Sequence, residues 1–177
     1  MAEHRTYHAT LRQQEFERHY RRFHPSLPDL IVGPSAQLDR TRLARQFRLV
    51  HVDGGHEYEV VREDILTARA LLGDGGIVIF DDWSQPHCPG VAMALWESYR
   101  VTNLIPLGFT DTKLYATWDA TVTADDLDGW VQGQPDLDRS YPFRLGQYDA
   151  RRYTPKKIAS PTPRPPEPSR WRRLLAH

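Results

Sequence analysis

Residues 47–83 read FRLVHVDGGHEYEVVREDILTARALLGDGGIVIFDDW, and their pattern predicts strand, helix, strand. FRLVHV is an apolar run closed by the Gly54-Gly55 pair. From Tyr58 to Leu72, Val61, Ile65, Ala68 and Leu72 fall on one helical stripe, while Glu59, Arg62, Glu63 and Arg69 lie elsewhere on the helix. GDGG ends the helix and GIVIFDD forms the next strand. The strands are rich in Val, Ile and Leu instead of strictly alternating, as in a parallel sheet covered by helices on both faces. This is the pattern of a doubly wound α/β fold with a mostly parallel, Rossmann-like sheet.

Upstream, residues 8–23 predict a helix with Leu11, Phe16, Tyr20 and Phe23 near one face, stopped by His-Pro-Ser-Leu-Pro. Asp29 to Gly33, DLIVG, reads as a strand and Leu38 to Gln46 as a helix. Downstream, Gly90 to Arg100 predicts a crossover helix, and NLIPLGF and KLYATW a closing pair of strands. TADDLDGWVQ reads as a short capped helix, whereas QPDLDRSYPFRLGQYDARR is expected to be irregular, packing its aromatics on the core. The chain therefore divides into an α/β domain over 1–120, an extension over 121–150 and a tail from 151 to 177. There is no internal repeat.

The 177 residues hold 23 Lys/Arg against 23 Asp/Glu and a single cysteine, Cys88. No intrachain disulfide can form, and a cytoplasmic location is the expectation. No run approaches the roughly 20 apolar residues of a bilayer span. The balanced charge is unevenly placed. From Arg151 onward eight Lys/Arg face one acid, Glu167, so this tail carries +7, and residues 25–150 carry −9. A nucleic-acid-binding face on the folded part is disfavoured. The tail also holds six of the 14 prolines and ends in RWRRLL. It reads as a disordered, polyproline-like segment, with docking to an acidic partner or anionic membrane surface as the alternative.

In open parallel sheets a ligand lies beyond the carboxyl ends of the strands. Two successive strands here end in acid, one at Asp53 and the other at Asp81-Asp82. Three carboxylates in one crevice repel unless a positive charge sits among them, which points to a hard divalent cation with oxygen ligands. The alternative is that Asp53 and Asp82 cap the following helices. His56 is placed to act as a general base near neutral pH, or to brace its own loop by hydrogen bonding. His51, on the strand, reads as a core histidine. A zinc site from His51, His56, His87 and Cys88 matches no Cys/His spacing pattern, and Cys88 shows no paired base in the sequence.

The quoted stretch resembles the class I S-adenosylmethionine-dependent methyltransferases, in the branch whose fourth strand ends in Asp-Gly-x-His-x-Tyr-Glu and whose fifth reads Gly-Gly-x-x-x-x-x-Asp. The resemblance covers about residues 10–118. It implies S-adenosylmethionine as cofactor, with Gly33 and Ser35 in a Gly-x-Ser loop near the adenine and Asp53 and Gly54 on the cofactor side of the fourth strand. By position it makes Asp53, Asp81 and Asp82 the ligands of a divalent metal, usually Mg²⁺, and His56 the base that takes a proton from a sugar or small-molecule hydroxyl. The family strand order is 3-2-1-4-5-7-6, and its opening strand, Gly-rich loop and second strand have no counterpart here. The chain is thus expected to represent the carboxyl-terminal two-thirds of such a domain, truncated at its N-terminus, with its cofactor site supplied elsewhere or absent, so that alone it is expected to bind S-adenosylmethionine weakly or not at all and to be inactive. DLIVG then pairs directly with the fourth strand, sits loosely, or finds its neighbours in a partner chain or oligomer completing the sheet, because an exposed strand edge invites pairing. A non-catalytic interaction module and another Mg²⁺-dependent α/β enzyme are the alternatives.

Overall fold

A computed structural model describes residues 13–135 and 137–156. It divides into two units, 1–34 and 35–177. In the first, helix α1 (Gln13–Tyr20) lies within the expected span, whose residues 8–12 fall outside the described ones. Phe16 and Tyr20, four residues apart, bring their rings to 5.5 Å, and His24 stacks on Tyr20 at 4.2 Å. Residues 29–33, expected as a strand, are not one. A run of apolar residues becomes a strand only where its backbone groups find a ladder, and DLIVG pairs with none of the described strands.

The second unit opens with a 3₁₀ turn at Ser35–Gln37. Residues 38–46, expected to be helical, are a chain of turns. Asp39 accepts the Arg42 N–H through its side chain at 2.9 Å, and Arg45 turns left-handed at φ 56°. Its N–H then binds the Ala70 carbonyl at 2.9 Å, which aims the chain into β1 (Phe47–Val52). Helix α2 (Tyr58–Leu71) buries Val61, Ile65 and Ala68 on the expected stripe. Strand β2 (Leu72–Phe80) bulges at Gly75, φ 68°, before its ladder with β1 becomes regular from Leu49↔Ile77 to Val52↔Phe80. Helix α3 (Pro89–Val101) begins on proline, whose fixed φ suits a first helical position, and buries Val91, Ala94 and Leu95.

Strands β3 (Ile105–Phe109) and β4 (Leu114–Thr117) form the expected pair, and α4 (Ala124–Val131) carries a capping box between Thr123 and Asp126. The expected irregularity over 121–150 does not hold. Residues 137–155 form a hairpin, β5 (Leu137–Leu145) and β6 (Tyr148–Pro155), turning at Gly146 with φ 62°. Arg151 to Pro155, assigned to the tail on sequence, belong to β6. The polyproline-like stretch and RWRRLL lie outside the described residues.

The six strands run β1-β2-β4-β3-β6-β5. β1, β2, β4 and β3 thus stand in the order 4-5-7-6 that the resemblance anticipates. The sheet is mixed, however, not mostly parallel: β1/β2 and β3/β6 are parallel, while β2/β4, β3/β4 and β5/β6 are antiparallel. Antiparallel β4 returns between β2 and β3, and the hairpin brings another antiparallel pair. Alternation along β2 sends Val78 and Phe80 to the core under α2 and α3, and Ile77 and Ile79 to a smaller cluster with Leu127 of α4 and Tyr153. Helices therefore cover both faces. Toward β1 the α4 side stays open, with Leu49 58% exposed and Trp130 53% exposed. Among the described residues no helix is long and apolar enough to cross a membrane.

Candidate functional site

Parallel pairing of β1 with β2 in this register brings the residues after Val52 and Phe80 side by side, and the Asp81 N–H donates to the Val52 carbonyl at 3.0 Å. Asp53 and Asp81 accordingly meet, and His51 joins them: one donor atom from each of the three lies within 4.8 Å of the others. His51 is not a core residue. Its side chain is exposed, with Nε2 3.8 Å from Asp81 Oδ2. The β2/β4 pairing Phe80↔Leu114 carries Lys113 to the same place, where its ammonium donates to the Asp81 carboxylate. Burial pushes the Asp81 carboxyl up, but the Lys113 hydrogen bond, the Asp82 N–H and the charges of Lys113 and His51 outweigh it and hold the group below its ordinary value.

Because the Asp81 pKa is lower in the folded chain than in the unfolded one, its stabilisation is complete above the usual carboxylate value of about 3.9 and is lost as pH falls through the folded value. Lys113→Met is expected to cost about 1 kcal/mol at neutral pH, the pair being partly exposed. Urea titrations at neutral and strongly acidic pH check this: the difference between variant and parent should vanish in acid, and a pH-independent difference would refute the assignment.

Asp82 does not join Asp53 and Asp81. Its backbone is left-handed, φ 53°, a conformation uncommon outside glycine though more accessible to Asp than to most residues. Its carboxylate sits 3.2 Å from His56 Nε2, and His56 Nδ1 lies 3.1 Å from the Cys88 sulfur. The loop after β1, the loop after β2 and the N-cap of α3 are joined by this row of carboxylate, imidazole and thiol. Burial, then the Asp82 charge, pushes the Cys88 thiol up. A neutral thiol donating to Nδ1, with the Nε2 proton directed at Asp82, satisfies all three groups. The Asp82 loop is itself braced by Trp83, whose indole N–H donates to the Thr110 carbonyl at 2.9 Å.

The residues assigned to a cofactor are divided between the two units. Gly33 belongs to the first unit, where its φ is 150°. Ser35 donates to Asp64 of α2, and a Cβ on Gly54 would stand 2.9 Å from the same carboxylate. Asp53 and Gly54 are exposed at the end of β1. Behind them lies a void of about 10 Å³ lined in part by Val52, Asp53, His56, Phe80 and Asp81. That is room for no more than a water, so a ligand would engage the outer rim.

The three carboxylates expected around one metal therefore divide between two clusters, His51/Asp53/Asp81 and His56/Asp82/Cys88. The first already has its positive charge in Lys113. Asp64, Lys113 and the Cys88–His56 contact escape a sequence reading because each meets its partner across a loop or a neighbouring strand. The half-buried acid at the strand end was a signal pointing toward Lys113, since a carboxylate partly withdrawn from water favours a counter-charge.

Comparison with known proteins gives one result. Residues 2–83 match the model of a family described as a methyltransferase domain, a little under half of the chain. The matched segment ends on Trp83, just past the Asp81-Asp82 pair. No curated protein and no solved structure matches the chain.

Proposed function

We propose that this protein transfers the methyl group of S-adenosylmethionine to an oxygen nucleophile, a sugar or small-molecule hydroxyl. The observation that carries the reading is the sheet order β1-β2-β4-β3 with its acid-ended strands inside and beside the segment matching the methyltransferase domain. The cofactor supplies an electrophilic methyl on a sulfonium; Ser35, Asp53 and Gly54 of the second unit are the residues assigned to its side. Methyl transfer from sulfur to a hydroxyl oxygen releases one proton, and the chain must accept it. His56 and Asp82 are assigned that task as a pair. With the Nε2 proton directed at Asp82, the carboxylate oxygen not engaged by His56 accepts the substrate proton, while His56 orients the carboxylate and spreads the charge. Mg²⁺ on Asp53, Asp81 and Asp82 does not fit this arrangement, because Asp82 faces His56 and Lys113 neutralises Asp81. No step is routed through it.

The test uses the full chain with isotopically labelled S-adenosylmethionine and a panel of hydroxylated small molecules. Against the weak binding expected from the missing Gly-rich loop, saturable cofactor binding and label transfer by this chain are required, with His56→Ala lowering turnover by about tenfold or more. Absence of both binding and transfer at saturating cofactor would overturn the proposal.

A further inference from the structure

We propose that His56, Asp82 and Cys88 form a three-ligand site for a borderline divalent cation of the zinc class. One ring nitrogen of His56, one carboxylate oxygen of Asp82 and the Cys88 sulfur all lie within 4.8 Å of one another. Bond lengths of about 2.0–2.3 Å to nitrogen, oxygen and sulfur put the ligands of a tetrahedral zinc ion roughly 3.3–3.6 Å apart. The 3.1 Å contact to sulfur is made by Nδ1 and the 3.2 Å contact to Oδ2 by Nε2, so an ion held through one ring nitrogen requires the side chain now on the other nitrogen to swing round to it, within a cluster whose donor atoms already lie no more than 4.8 Å apart. The three ligands come from three different connections, and each is held by the fold. Cys88 is 1% exposed at the N-cap of α3, and Asp82 is fixed by its left-handed backbone.

The donor set selects the metal. Mg²⁺ and Ca²⁺ take oxygen ligands almost exclusively, whereas a thiolate beside an imidazole favours zinc, cobalt and their neighbours. On binding, the thiol proton leaves to solvent as the sulfur–metal bond forms. Thiolate and carboxylate then balance the 2+ ion, and neutral imidazole completes three bonds. Cys88 closes the inner side, while His56 and Asp82 each retain 26% side-chain exposure, leaving the fourth position toward solvent. The site shares only Asp82 with the three-carboxylate set. It rests on the cluster's geometry and not on the methyl-transfer reading.

Cobalt(II) titration of the full chain tests this, because Cys88 is the one cysteine and any sulfur-to-cobalt charge-transfer band must come from it. One equivalent is expected to saturate a near-ultraviolet band, with visible absorption of tetrahedral intensity. Zinc should displace the cobalt, and excess Mg²⁺ should not. Cys88→Ser should abolish the band, and His56→Ala and Asp82→Asn should each weaken binding about tenfold or more, whereas His87→Ala should leave it unchanged. Thermal unfolding of the unsubstituted chain gives a check independent of the variants: zinc should raise Tm and Mg²⁺ should not. No band at saturating cobalt, or a band indifferent to both His56→Ala and Asp82→Asn, would overturn the site whatever the outcome of the methyl-transfer assay.

Discussion

Asp128→Ala is expected to lower the unfolding free energy by about 2 kcal/mol at neutral pH, the scale of losing hydrogen bonds made to a buried charged group. Asp128 lies on α4 at 5% exposure. Its carboxylate accepts from Ser140 on β5 at 2.6 Å and from Gln132 at 2.7 Å, and it stands 4.0 Å from the Arg151 guanidinium on β6. One side chain therefore fastens a helix to both strands of the terminal hairpin. Alanine removes the acceptor of half-buried Ser140 and exposed Gln132, while Arg151 keeps Asp125 at 2.7 Å, so the penalty falls mainly on Ser140 and on the join between helix and hairpin. Burial pushes the Asp128 carboxyl up, but the Ser140 and Gln132 hydrogen bonds and the Arg151 charge bring it below the ordinary value. The stabilisation is thus complete above about pH 4 and fades as pH falls through the folded value. Equilibrium urea unfolding of parent and variant across that range is the measurement; a loss below 1 kcal/mol at pH 7 would show the carboxylate to be dispensable. A cycle with Ser140→Ala should give a coupling of about 1 kcal/mol, since the two groups are in direct contact.

Gly90→Ala is the second large effect, at about 2 kcal/mol, and it acts on the site. Gly90 is the second residue of α3, and a Cβ there would stand 2.7 Å from the Tyr58 nitrogen and 3.2 Å from the Glu57 carbonyl carbon, also pressing on the His56 carbonyl oxygen. All three neighbours are backbone of the loop that carries His56, so no side-chain rotation relieves the overlap. Either the helix N-terminus or the loop must move, at the cost typical of overpacking. Because Cys88 caps that helix and His56 rides on that loop, their contact should open at the same time. Gly129→Ala supplies the contrast: nothing lies within 4 Å of its Cβ position on α4, and the gain in helix propensity should leave stability equal or higher. Thermal and urea unfolding of the two variants, with cobalt binding as readout for the site, decide the matter. Equal stability of Gly90→Ala and parent would refute the close approach.

The core of the fold was legible because its elements obey one period each. Val61, Ile65 and Ala68 mark α2, and FRLVHV and GIVIF mark two strands, so the strand-helix-strand unit follows from residue spacing alone. The hairpin was not legible for a physical reason: most of β5 is exposed, so DRSYPFRL shows no buried alternation, and Pro142 in its midst argues against a central strand while suiting an edge one. Gly146-Gln147, a two-residue turn opening on glycine, was the available signal. Apolar runs misled in the other direction at DLIVG, where hydrophobicity without a pairing partner gave no strand. For the site, the acids at the strand ends were readable, but their division into two clusters was not. Lys113 and Cys88 decide that division, and they reach it through β4 and α3.

The mixed sheet also sets an order of assembly. The hairpins β3/β4 and β5/β6 close short loops, whose entropic cost is small, and they can form early. The two parallel joints each wait on a long intervening segment, α2 between β1 and β2, and β4, α4 and β5 between β3 and β6. The β3/β6 joint has only two residue pairs, Gly108↔Arg151 and Phe109↔Arg152, to repay that closure. Pairings distant in sequence are the slow ones in general. The speed at which this chain reaches its native state is therefore tied to how fast the two preformed ribbons find the parallel β3/β6 register and the strand-helix-strand unit its antiparallel β2/β4 one.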